Sequence, residues 1–209
     1  MRTPITLVLV CLLASLLSHS GAGQARAGTI FNNFGPGDTY GTGGGLTLSN
    51  RSISTQIVGY AFTPIGISYF FDSVTLAAFS DLGPKGLDVL LMTDKGGLPG
   101  ATIEALHISN ASEPVPVSAN STLRPILTAN TQYWVVASLT GPEALGLWYV
   151  NSTGDVGPEA VNDGFGWGAE TGGHGAFRIE GTIVPEPTSL TLLGLGTIGL
   201  VVYAWRSRS

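Results

Sequence analysis

Leu87-Asp88-Val89-Leu90-Leu91-Met92-Thr93-Asp94-Lys95-Gly96-Gly97-Leu98-Pro99-Gly100-Ala101-Thr102-Ile103-Glu104-Ala105-Leu106 decides the fold class of this chain. Its first six residues are an apolar run too short for a buried helix. Asp94 to Pro99 is turn chemistry, and a second half-alternating run follows. In an extended strand Val89 and Leu91 point one way while Leu90 and Met92 point the other. A second run, Gln132-Tyr133-Trp134-Val135-Val136, repeats the pattern, with Trp134 and Val136 opposing Tyr133 and Val135. Runs apolar on both faces predict strands covered on both sides, one by a second sheet and the other by a loop or a neighbour.

Outward from these runs the same texture continues. Between residues 28 and 183, short apolar or alternating segments are broken by Gly, Pro, Asn and Asp. The expected strands are 29–33, 56–62, 67–71, 73–79, 87–92, 102–108, 115–118, 132–139, 145–151 and 175–183, spaced as in a sandwich or barrel. No window of ten residues carries a convincing 3.6-residue period. Composition agrees: charged residues are 11% of the chain and glycines number 30, whereas surface helices require more Glu, Lys and Arg than this. The expected fold is all-β, an antiparallel two-sheet sandwich of jelly-roll type. Residues 151–173 are read as one long loop.

Charge is distributed unevenly. Residues 28–183 hold thirteen Asp and Glu against Arg51, Lys85, Lys95, Arg124 and Arg178, a balance of −8. An acidic body without a basic stripe repels phosphate backbones, which argues against nucleic acid as a partner. Cys11 is the only cysteine and lies in the N-terminal apolar run, so the body has neither disulfide nor thiolate metal site.

The two ends are addresses. Arg2, an apolar run over 5–17 and Ala25-Arg26-Ala27 form a secretory signal, with cleavage predicted after Ala27. At the other end Val184-Pro185-Glu186-Pro187-Thr188-Ser189 precedes an uncharged stretch, 190–205, and then Arg206-Ser207-Arg208-Ser209. The prolines forbid both helix and strand pairing. The apolar stretch, extended by Thr188, Ser189 and the arginine stems, reads as a single transmembrane helix. Arg206 and Arg208 form a positive stop that stays cytoplasmic. The organisation expected is therefore signal peptide 1–27, β-sandwich 28–183 and tail 184–209. Gly194-Leu195-Gly196-Thr197-Ile198-Gly199 spells a dinucleotide fingerprint, but only ten residues follow it and no acidic partner lies among them. Its glycines suit a membrane helix instead.

The three-part tail closely resembles the PEP-CTERM sorting signal of exopolysaccharide-producing Gram-negative bacteria. The resemblance implies processing by a membrane protease-transpeptidase, the exosortase, with Pro185, Glu186 and Pro187 as the recognised residues. The protein would be anchored transiently in the inner membrane, then released or re-anchored at the cell surface or in the matrix. Residues 87–106 with Gln132–Val136 also resemble the R-type choice-of-anchor domains, exported β-sandwich modules, which implies fold and location but no reaction.

Candidate sites within the body are few. His107 and His174 are far apart in sequence and form no zinc spacing. Asp38, Asp72, Asp155 and Asp163 lie near glycines, but no EF-hand loop is present; calcium is the one cation such loops would suit, and no cofactor is expected. A G-x-S-x-G elbow is absent, and nothing singles out an acid pair. Trp148, beside Tyr149, and Trp167 within Gly164-Phe165-Gly166-Trp167-Gly168 are the candidates for stacking on sugar rings; Trp167 also suits a lid folded back on the sandwich. The leading expectation is a non-enzymatic surface or matrix protein associated with exopolysaccharide. A carbohydrate-binding module and a secreted polysaccharide hydrolase are the alternatives.

Overall fold

The computed structural model describes residues 27–185, together with Gly196, Trp205 and Arg206. In chain order the strands are β1 (Ala27–Asn32), β2 (Tyr40–Arg51), β3 (Ser54–Phe62), β4 (Tyr69–Leu76) and β5 (Ala78–Leu82). Next come β6 (Leu87–Asp94), β7 (Pro99–Ile108), β8 (Val117–Asn120), β9 (Ile126–Leu127) and β10 (Tyr133–Leu139). The last four are β11 (Ala144–Asn151), β12 (Val156–Asn162), β13 (Trp167–Gly173) and β14 (Phe177–Ile183). All lie in one compact unit, Arg26–Val184.

The strands pair antiparallel in two sheets. The smaller runs β1-β14-β4-β8, with β9 also on β4; the larger runs β5-β11-β2-β3-β10-β6-β7. β2 pairs with β3 only over Ser54–Gln56, and from Ile57 to Tyr60 β12 takes its place, with β13 beyond it. The larger sheet thus forks at β3. A sandwich is what the strand pattern predicts; five strands against nine is more lopsided than the eight strands of a jelly roll.

The decisive runs behave as their alternation requires. Leu87, Val89, Leu91, Tyr133, Val135 and Ala137 enter the main core, where they meet Val58, Tyr60, Phe71, Leu76, Trp148, Phe177 and Ile179. Met92, Trp134 and Val136 face the other way and join Ala61 and Ala160 in a second cluster, flanked by Ile57, Leu90, Leu98 and Trp167. The cover for this outer face comes from β12, the first residue of β13 and the turn after β6. Trp134 is fully buried on that face, and burying a side chain of this size contributes roughly 3 kcal/mol or more.

Residues 151–173, expected as a loop, contain the β12–β13 hairpin. Its glycines and Pro158 hide a strand signal that depends on pairing and on packing against Trp134. β2 was likewise unread, because Gly43-Gly44-Gly45 breaks its pattern. In the fold that segment is a bulge: Gly45 faces Tyr149 and Gly41 faces Val150, leaving three residues unpaired. A Cβ on Gly45 would lie 2.5 Å from the Trp148 carbonyl oxygen, so only glycine fits there.

Asp94 explains why the turn after β6 carries a carboxylate. Its Oδ1 accepts from the Trp134 indole N–H (2.8 Å) and the Gln132 amide (2.7 Å), and its Oδ2 from the Gly97 N–H (3.2 Å). Burial opposes its ionisation, but the bonds from Trp134, Gly97, Gln132 and Gly96 outweigh that and hold its pKa below the ordinary 3.8. Glu104, on β7, does the same for the loop after β8. It accepts from Ser121 Oγ (2.6 Å), Thr122 N–H (2.7 Å) and Leu123 N–H (3.0 Å). Burial again opposes ionisation and the hydrogen bonds prevail, so its pKa lies below 4.5.

The expected signal peptide lies outside the described residues except for Ala27, which begins β1. Of the expected transmembrane stretch only Gly196 and Trp205 are described; both are helical, as is Arg206. Among the described residues no helix is long and apolar enough to cross a membrane.

Replacing Asp94 by Ala leaves the buried Trp134 donor unpaired and should cost about 1–3 kcal/mol in chemical denaturation. Because the Asp94 and Glu104 carboxylates titrate lower in the folded than in the unfolded chain, their stabilisation is present above the ordinary values of 3.8 and 4.5 and is lost as pH falls through the folded values. Unfolding free energy should therefore decline on acidification below about pH 4.5, and less steeply in Asp94→Asn.

Candidate functional site

The hairpin that seals the outer cluster also carries the most exposed aromatic among the described residues. Its turn, Asp163-Gly164-Phe165-Gly166, is built from side-chain caps. Asn162 Oδ1 accepts from Gly164 N–H (2.9 Å), and Asp163 Oδ1 from Phe165 N–H (3.1 Å). Gly164 and Gly166 have φ of 97° and 127°, a region closed to other residues without strain. The result is Phe165 held 97% exposed at the tip of a braced turn. Beside it lies a hollow of about 340 Å³. Phe165, Trp167, Asp163, Glu170, Val161 and Gly168 are among the residues that line it.

Trp167 is half-buried, one edge packed on the cluster around Trp134 and the rest lining the hollow. Its packing on that cluster is the position expected of a lid folded back on the sandwich. Trp148 does not join it. This residue is fully buried in the main core, its indole N–H donates to the Ala176 carbonyl (3.1 Å), and its ring meets Tyr60 edge-on at 4.8 Å. The expectation that Trp148 stacks on a sugar is therefore wrong. In Leu145–Val150 every residue but Gly146 is apolar, so the inward phase could not be read from alternation. Tyr149 points the other way and packs on Phe79 and Tyr40.

Glu159 and Glu170 are directly opposite across β12 and β13. Glu159 is only 5% exposed, and its pKa is raised by burial first and by Glu170 second. Tyr60 stands opposite it on β3; its hydroxyl is buried, and its pKa is likewise raised, by burial first and then by Glu159, against a smaller opposing effect of the Gly175 backbone. Of the two, Glu170 lines the hollow.

The root of the hairpin is a buried polar network. His174 Nδ1 bonds Asp155 Oδ2 (2.8 Å), which also accepts from Asn33 Nδ2 (3.1 Å). Asn151 Nδ2 donates to the carbonyls of His174 and Asp155, at 2.7 and 2.8 Å. These side chains satisfy one another and lock the ends of β1, β11 and β13 together. His107 is elsewhere, at the surface against Asp88 (2.8 Å). The loop aspartates do not converge either: Asp38 binds Arg178, Asp72 binds Arg124, Asp155 binds His174, and Asp163 caps its own turn. Among the described residues no group of three or more His, Cys, Asp or Glu is placed to hold a metal.

What the body displays is thus an aromatic, acidic hollow on a braced hairpin, raised on an all-β scaffold. The chain that follows it is of a recognised class: residues 184–209 match the PEP-CTERM protein-sorting motif. That match covers Pro185, Glu186, Pro187 and the arginines, and it implies exosortase-dependent sorting of an exported protein that is membrane-anchored before processing. No curated protein matches the chain.

Because the Glu159 pKa is raised, the stability it contributes is complete below the ordinary value of 4.5 and is lost as pH rises through the folded value. Glu159→Gln should flatten the decline of unfolding free energy as pH rises above 4.5 and raise it at pH 7 by a few tenths to about 1 kcal/mol. In a Glu170→Gln background the same substitution should gain less, since the repulsion has already gone.

Proposed function

We propose that this protein is a non-enzymatic component of the bacterial cell surface or extracellular matrix, delivered by its PEP-CTERM tail and associated with exopolysaccharide. The observation that supports this is where the folded unit stops. β14 ends at Ile183, and Val184 N–H makes the last backbone bond, to the Ser68 carbonyl (3.0 Å). Pro185 follows at once, so every strand of the body ends before the Pro-Glu-Pro begins. In this reading the signal peptide is 1–27, the body 28–183 and the tail 184–209. The tail crosses the membrane once as a helix over 190–205, with Arg206 and Arg208 as the cytoplasmic stop. Exosortase then acts at Pro185-Glu186-Pro187. The likeness of residues 87–106 to choice-of-anchor modules supports the same surface role.

A second reading is favoured by the hollow beside the hairpin tip. A fully exposed Phe165 next to a half-exposed Trp167 offers apolar faces for the C–H side of a sugar ring, while Asp163 and Glu170 accept from ring hydroxyls. The body then acts as a polysaccharide-binding module through this hairpin, without Trp148.

Mass spectrometry of the surface or released form should show an N-terminus at Gly28 and a C-terminus upstream of Leu190. A mature chain still ending at Ser209 contradicts sorting by cleavage. Affinity electrophoresis through dextran, laminarin or galactomannan tests the second reading. Phe165→Ala should weaken retention several-fold, about 1 kcal/mol, with no loss of melting temperature because the ring buries nothing. Retention unchanged by both Phe165→Ala and Trp167→Ala removes the hairpin from consideration.

A further inference from the structure

The first strand of the folded unit has a single pairing neighbour, and it is the last strand before the sorting motif. β1 pairs with β14 alone, Ala27 opposite Thr182 and Gly28 opposite Gly181. The fit is close: a Cβ on Gly181 would lie 2.6 Å from Ile30 Cδ1. Phe31 stacks on Phe177 with centroids 4.5 Å apart. Asn33 Nδ2 donates to the Gly175 carbonyl (3.0 Å), and Asn33 Oδ1 accepts from Phe177 N–H (2.7 Å). These hydrogen bonds span 142 and 144 positions of chain. Among the described residues, Phe62, at a ring distance of 6.3 Å, is the one aromatic contact Phe31 has from early in the sequence.

From this we infer that β1 docks last, and that cleavage of the signal peptide and closure of the small sheet exclude one another, the cut coming first. The inference rests on the reading of Ala25-Arg26-Ala27 as the cleavage signal. In that cut water adds across the Ala27–Gly28 amide; Ala27 leaves with a new carboxylate and Gly28 keeps the amine. A peptidase must hold this segment as a separate extended chain. In the closed sheet Ala27 and Gly28 are already strand residues laid against β14, so the bond is reachable only through local opening. While β14 has not yet crossed the membrane, the segment has no strand to pair with and stays open to the peptidase. The arrival of β14 ends that interval. Since the sorting motif begins directly after β14, the tail reaches the membrane just as the N-terminal site closes. A precursor still uncut at that moment folds into a form that retains its N-terminal segment.

The test uses the uncleaved full chain, made without signal peptidase, purified in detergent and shown by circular dichroism to be folded. Its cleavage at 27/28 by purified signal peptidase is compared with that of a synthetic peptide covering residues 16–36. The folded precursor should be cut at least tenfold more slowly than the peptide. Two variants that loosen β1, Phe31→Ser and Asn33→Ala, should recover most of the peptide's rate. The same changes placed in the peptide should leave its rate unaltered, and two variants guard against one failing to fold. Equal rates for folded precursor and peptide overturn the order proposed here while leaving the signal reading intact. A peptide that is not cut at 27/28 overturns the signal reading and the inference with it.

Discussion

The structure turns on one constraint: β6 and β10 are apolar on both faces. A sheet in a two-layer sandwich ordinarily leaves one side wet, and these two strands cannot. Their inner residues are covered by the small sheet. Their outer residues, with Trp134 at the centre, would remain in water if the larger sheet were a simple seven-strand ribbon. The fork at β3 resolves this. By letting β2 depart after Gln56 and β12 take its place, the chain brings Ala160 and Trp167 over the outer face, and the turn after β6 contributes Leu98. Asp94 then anchors the polar end of Trp134, so that a buried indole does not lose its hydrogen bond.

The candidate site follows from that cover. A hairpin recruited to shield Trp134 projects beyond the strand it pairs with, and its tip therefore stands clear of the sandwich. Two positive-φ glycines and two Asx caps make the tip rigid enough to hold Phe165 in solvent, an arrangement with no packing purpose. The opposing glutamates nearby have the reverse character. They sit where burial and mutual repulsion discourage ionisation, and only Glu170 reaches the hollow.

The termini give the same fold a direction in time. A strand order that places β1 against β14 makes the small sheet incomplete until nearly the whole body has been exported. The sorting motif begins where the sheet ends, at Val184 directly after β14.

Much of this was written in the residues themselves. The address labels at both ends are linear signals, read by length, charge order and a few prolines, and need no fold to be recognised. The all-β class was legible because short apolar runs end in turn residues, and so was the need of β6 and β10 for cover on both sides; which of their faces met the second sheet was not, because both are apolar. What alternation could not convey was pairing. Leu145–Val150 is almost uniformly apolar, so nothing local told Trp148 from Tyr149; the choice was made by the room left between Tyr60 and Phe177. The glycine-laden stretches that became β2, β12 and β13 carry no strand preference of their own. They are extended because a bulge beside Trp148 admits only glycine and because an exposed face around Trp134 required a cover, and both conditions exist only once distant parts of the chain have met.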